Sequence, residues 1–134
     1  MKVDSIDDYE ELEFTDQSFD ILMFSDEEKW GCYKATATLM HLGELTFKQK
    51  GREEQAEVDD PEPPKKVAEM MGVPCDELMK AFLKPKFKVG TEWVTKGMNA
   101  EGCLNNVSAI TRAIFDRLFS WLIEMVSILL SMQC

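Results

Sequence analysis

The sequence predicts a mainly α fold in which helices are interrupted by a short strand, an acidic loop and a β-hairpin-like loop. Three observations predict it. The run Ser25-Asp26-Glu27-Glu28 has the Ser-x-x-Glu pattern of a capping box, just ahead of apolar residues spaced three and four apart. A wider stripe of the same period extends from Leu104 to Leu129. Only two short stretches, around residues 45–48 and 86–96, have the composition and alternation of strands.

The elements follow in order. Val3 to Leu12 is acidic and aperiodic, and reads as a linker or solvated loop. Thr15 and Asp16 can cap a short helix through Asp20-Ile21-Leu22. The helix after the capping box should bury Trp30, Tyr33, Ala37 and Met40 on one face and end at Gly43. Leu45-Thr46-Phe47-Lys48 alternates as a short strand does. Residues 51–64 are acidic, proline-rich and nearly free of large apolar side chains, so they read as an exposed loop. Helices are expected from Lys65 to Met71, stopped by Gly72, and from Asp76 to Leu83, stopped before Pro85. Two β-rich runs between Pro85 and Gly97 flank a turn at Gly90, and some of their apolar residues should point to the core. From Asn99 a long helix carries Leu104, Val107, Ile110, Ile114, Leu118, Leu122, Met125 and Leu129 in one stripe. Phe115, Phe119 and Trp121 widen that stripe, which then expects cover on more than one side.

Charge is polarised. Residues 1–62 carry 18 acidic and 6 basic side chains, and residues 63–134 carry 7 and 9, for a net charge of −10. Such a chain makes a poor nucleic-acid binder, because phosphate contacts need a basic footprint. The cysteines at 32, 75, 103 and 134 form no CxxC pair and the chain has one histidine, which argues against a zinc site and a disulfide scaffold and for reduced thiols. The acidic start does not read as a signal peptide. The most apolar run, Trp121 to Met132, includes Glu124 and falls short of the about 20 residues a spanning helix needs, so it reads as a buried helix end rather than a membrane segment.

Catalytic signatures are missing. Neither GxxxxGK[ST] nor GxGxxG occurs, and one histidine without a nucleophile pattern gives a triad no support. Glu53-Glu54 and Asp59-Asp60 read as solvated surface, and His41 as a structural group near a helix end. Lys84, Lys86, Lys88 and Lys96 surround Phe87, Val89, Trp93 and Val94. That mixture is either an ordinary surface hairpin or a contact site for an acidic protein, and composition does not choose between them.

Longer motifs carry a family resemblance. Phe19-Asp20-Ile21-Leu22, Glu27-Glu28-Lys29 and the run from Tyr33 to Gly43 resemble consecutive motor-domain segments of muscle (class II) myosin heavy chains. The run from Phe47 to Glu57 is similar to that family's actin-facing acidic loop four, and the run from Lys86 to Gly97 to its cardiomyopathy loop. Asn105 to Leu122 resembles the long helix that follows it. The likeness runs in order over about residues 4–123.

The resemblance implies a fragment of the upper fifty-kilodalton subdomain of a motor. It implies that the Mg-ATP loops of the parent lie outside this chain, which then holds no cofactor and is not itself an enzyme. It implies filamentous actin as partner for Lys86, Phe87, Lys88, Val89, Glu92 and Trp93, and actin or tropomyosin for Glu53, Glu54 and Glu57. The rest of the heavy chain is a further partner, against which the long helix would pack, so exposed apolar surface is expected here. No nucleic acid or membrane partner is implied, and the expected location is the cytoplasm, in the muscle myofibril. Met23 stands where the family has a glycine, Met98 where a glutamine is common and Ser108 where a glycine usually packs, swaps that should touch packing more than loops. After Ile123 the chain departs from the family, and residues 124–134 read as a foreign tail. Two other readings compete: a regulatory or scaffold fragment without actin contact, and a non-functional truncated product.

Overall fold

Asp7 starts the first helix. Its carboxylate accepts the N–H groups of Tyr9 and Glu10 at 2.9 and 3.4 Å, and α1 runs over Asp8–Ile21. Asp8, Glu10 and Glu11 in the first turn favour the positive end of the helix dipole. The structure, a computed structural model, describes residues 6–49, 51 and 55–132. Two expectations are corrected here. The acidic run reaching Leu12 is helical from Asp8 onward, and Thr15 and Asp16 lie inside the helix rather than at its cap. The physical reason is that α1 buries none of its residues, so no apolar period announces it; capping and charge do the work.

The end of α1 is a Schellman motif. The Phe24 N–H reaches the Phe19 carbonyl and the Met23 N–H the Asp20 carbonyl, both at 3.0 Å. That motif puts Met23 in the left-handed region at φ 64°. The end of α3 has the same pair of bonds, with Gly72 at φ 68°. Met23 therefore carries a backbone cost that Gly72 does not, so the swap expected to touch packing falls on a strained turn.

The capping box of α2 (Asp26–Leu42) forms as expected. Ser25 Oγ accepts the Glu28 N–H at 3.2 Å, and the Glu28 carboxylate accepts the Ser25 N–H at 2.8 Å. The buried face is not the expected one. Trp30 and Met40 are 66% and 72% exposed, whereas Lys29, Cys32, Thr38 and Leu42 are buried. Two polar groups could take the inner face because each is satisfied there. Lys29 Nζ lies 2.8 Å from Asp20 and 3.2 Å from Asp16, and the Thr38 hydroxyl donates to the Lys34 carbonyl at 2.8 Å. The hydrogen bond to Asp20, helped by Asp16 and opposed by desolvation, holds the Lys29 ammonium above its ordinary value of 10.5.

The chain divides into two compact units. The first comprises Met1–Tyr33 and Leu118–Cys134. Phe19 meets Phe24 edge-on at 5.1 Å and Tyr33 at 5.8 Å, and Phe24 meets Trp121 at 6.1 Å. The second unit, Lys34–Arg117, holds the main core. Leu42 from α2, Val67 and Ala68 from α3 (Glu62–Met71), Leu78, Met79 and Phe82 from α4 (Cys75–Leu83), and Val107 from α5 (Ala100–Met132) pack together with Leu45.

The stretch expected to be an exposed loop is shorter than that. Residues β1 (Phe47–Gln49) and β2 (Ala56–Val58) pair antiparallel, Lys48 opposite Glu57, and Ala56 is buried. Pro63 and Pro64 belong to the first turn of α3, where a missing N–H costs nothing, and Pro64 is buried. In α5, Cys103 and Val107 are buried and Ile110 and Ile114 pack on the core, but Leu104 is 46% exposed. The rest of the expected stripe is half-buried, while Phe115 and Phe119 are each 55% exposed. Part of the expected stripe thus stays in solvent. The helix continues without a break through residues 124–132.

Two outcomes are expected. Met23→Gly should raise stability by about 1 kcal/mol in urea unfolding, since it removes a left-handed side chain from a turn that keeps its bonds. Because the Lys29 pKa is raised on folding, its contribution is complete below its ordinary 10.5 and lost as pH rises through the folded value. The stability difference between the chain and Lys29→Met should therefore hold through neutral pH and shrink above 10.5, as read by unfolding at stepped pH.

Candidate functional site

Pro85 ends the reach of α4, and the chain then doubles back on itself. The strands β3 (Lys86–Val89) and β4 (Glu92–Thr95) form an antiparallel hairpin closed by Gly90 and Thr91, with Gly90 left-handed at φ 65°. The register pairs Lys86 with Thr95, Phe87 with Val94, Lys88 with Trp93 and Val89 with Glu92. Directly opposed residues share a face and neighbours alternate. One face therefore carries Lys86, Lys88, Trp93 and Thr95. The other carries Phe87, Val89, Glu92 and Val94.

The apolar residues do not point to the core, contrary to expectation. Phe87, Val89, Trp93 and Val94 are 44%, 64%, 67% and 46% exposed, and every residue of both strands is solvent-facing. A two-stranded ribbon has no third layer against which to bury either face. What results is an apolar and cationic surface on one small hairpin. Such a surface suits a protein partner with an acidic, partly apolar face.

Hydrogen bonds at the stem fix the hairpin. Lys96 N–H donates to the Pro85 carbonyl at 3.2 Å and Met98 N–H to the Leu83 carbonyl at 2.9 Å. Ala56 N–H donates to the Met98 carbonyl at 2.8 Å, which joins β2 to the stem. The Asn106 amide donates to the Phe82 carbonyl at 3.2 Å from the first turns of α5.

Of the acidic residues singled out, Glu53 and Glu54 lie outside the described residues. Glu57 sits on β2, half-exposed, and faces Lys48 at 3.8 Å, while Asp59 approaches the same ammonium at 3.4 Å. Glu57 is thus partly engaged within the chain, at a value typical of surface pairs. His41 Nδ1 lies 2.8 Å from Glu44, in keeping with a structural role. The pattern also missed an open cleft of about 470 Å³ at the foot of the hairpin, where Lys80, Lys84 and Lys86 stand beside Glu77, Ala81 and Pro85. The run of lysines at 80, 84 and 86 around the end of a predicted helix was the signal available for it. Among the described residues no group of three or more His, Cys, Asp or Glu side chains could hold a metal, and no helix is long and apolar enough to cross a membrane.

The whole sequence, residues 1–134, matches the family "Myosin head (motor domain)". The chain belongs to that family. Its relatives include Myosin-3 of Caenorhabditis briggsae, 45% identical over 124 residues, which is 92% of this chain and 6% of that protein. Myosin-3 of Caenorhabditis elegans is 45% identical over 123 residues, with the same coverage. Myosin-1 of Caenorhabditis elegans is 40% identical over 131 residues, 98% of this chain and 7% of that protein. This myosin-head chain therefore spans only a small part of the length of the curated relatives it matches.

Within this motor-domain segment, Gly90 is the position where the hairpin depends on one residue type. A Cβ there meets no atom within 4 Å, so the cost of a side chain is the left-handed backbone alone. Gly90→Ala should destabilise the hairpin by about 1 kcal/mol, seen as faster amide exchange along β3 and β4 with little change in α3 and α4.

Proposed function

We propose that this chain is an actin-facing segment of a muscle-type myosin heavy chain, and that its hairpin is the main contact. The observation that carries the reading is the hairpin's exposure: Phe87, Val89 and Trp93 stay in solvent beside Lys86 and Lys88 on an element with no core to serve. Membership of the motor-domain family supports it. Lys86 and Lys88 steer toward an acidic filament and set register, Trp93 and Phe87 supply apolar anchoring, and Val89 and Glu92 complete the tip. The acidic stretch of Glu53, Glu54 and Glu57 forms a second contact, to actin or to tropomyosin. Glu57 must share Lys48 with Asp59 to do so, and contributes little alone.

The parent protein would couple hydrolysis of Mg-ATP to movement along actin. This chain contains no phosphate-cradling motif, so its part in that cycle is to bind the filament while nucleotide chemistry sits elsewhere in the heavy chain. The setting is cytoplasmic, in the muscle myofibril. The remainder of the heavy chain covers the exposed Phe115 and Phe119 of α5.

Co-sedimentation with filamentous actin tests the reading. The chain should pellet with actin at low salt, and binding should weaken as salt rises. Lys86→Glu combined with Lys88→Glu should reduce binding at least tenfold while leaving the unfolding midpoint near that of the parent, since both side chains are exposed. If the unaltered chain stays in the supernatant at low salt, the reading fails and a regulatory or scaffold segment without actin contact takes its place.

A further inference from the structure

The start of β2 meets the hairpin stem at one side chain. Gln55 closes the acidic stretch, and its Nε2 donates to the Leu83 carbonyl at 3.2 Å and the Ala56 carbonyl at 3.0 Å. Around it, Ala56 bonds to Met98 and Met98 to Leu83 through the backbone. The end of α4, the start of β2 and the lead-in to α5 are thus tied together about one carboxamide. Against the oxygen side of that carboxamide lies Gly97. A Cβ built at Gly97 would overlap Gln55 Oε1. The tip of a glutamine ordinarily swings away from such a clash. Here the swing would break both donated bonds, while the Leu83 carbonyl keeps the Met98 N–H, so the cost of yielding is the loss of those two bonds. Glycine is needed at 97 for close approach, not for its dihedral freedom, because Gly97 is outside the left-handed region.

We infer that Gln55 is a positioning residue: it latches the start of β2 to the hairpin stem and so sets the direction in which Lys86, Lys88 and Trp93 meet their partner. The partner in that statement rests on the proposed function. The latch itself rests on geometry. The amide adds to the Ala56–Met98 backbone bond in tying the start of β2 to the stem.

Two measurements on the full chain separate the claims. The first is amide exchange, without actin, in Gln55→Ala, Gln55→Glu, Gly97→Ala and the double variant Gln55→Ala/Gly97→Ala. Gln55→Ala should speed exchange at Ala56 and Met98 about fivefold, the size of one net hydrogen bond. Gln55→Glu should exceed it, because a carboxylate of the same shape faces two carbonyls with no proton to give. Exchange at Val67 and Leu78 should not change. Gly97→Ala should speed the same stem amides when Gln55 is present and have no further effect once residue 55 is alanine. Equal effects of Gly97→Ala in both backgrounds, or uniform acceleration across the core, would overturn the latch.

The second measurement is actin co-sedimentation. Gln55→Ala should weaken binding about fivefold with an unchanged salt dependence, since no charge changes, and Gln55→Glu should weaken it at least as much. If these variants bind like the unaltered chain while Lys86→Glu/Lys88→Glu does not bind, the positioning role is wrong and the proposed function stands. If the unaltered chain does not bind, the proposed function fails and the positioning role fails with it.

Discussion

The strands β3 and β4 bury none of their residues, so nothing in the core tells them where to point. Direction must come from the stem, where backbone bonds from Leu83, Pro85 and Met98 gather within a few residues of one another. The core of Leu42, Val67, Phe82 and Val107 matters to the surface mainly through this stem, because it holds α4 and α5 at the ends from which the hairpin leaves. A protein that presents apolar groups to solvent on so small an element has to make its base stiff. Packing supplies that stiffness in larger sheets. Here hydrogen bonding in a partly buried setting replaces it, where each bond is stronger than it would be in open water.

The parts of the fold that were legible in the sequence share one trait: the signal lay in neighbouring residues. The capping box at Ser25, the stop at Gly72, the break at Pro85 and the turn at Gly90 each follow from local chemistry, and each is found. The hairpin was readable from its alternation and its turn. What failed needed knowledge of distant partners. The buried face of α2 looks wrong in sequence because it includes a lysine, and only the placement of Asp16 and Asp20 makes that lysine acceptable. The strand at Ala56 was hidden in an acidic, proline-rich run, since three residues that pair with β1 leave almost no pattern.

The candidate site divides in the same way. Its lysines and aromatic residues could be listed from sequence, together with two readings of what they do. The exposure of all of them could not, because alternation is equally consistent with one buried face. Nor could the role of Gln55, which depends on Leu83 and Gly97, residues far from it along the chain. Met23 shows the chain carrying a strained turn.

Cys103 turns this arrangement into something that can be timed. It is fully buried at the start of α5, with its sulfur 4.0 Å from the Met98 carbonyl of the stem, and burial pushes its thiol pKa up. A protonated, enclosed thiol does not meet an alkylating reagent in the closed state. Its labelling rate at neutral pH is therefore a chemical clock for how often the root of α5 opens. Cys75, only half-buried, should react ahead of it and serve as the reference tick.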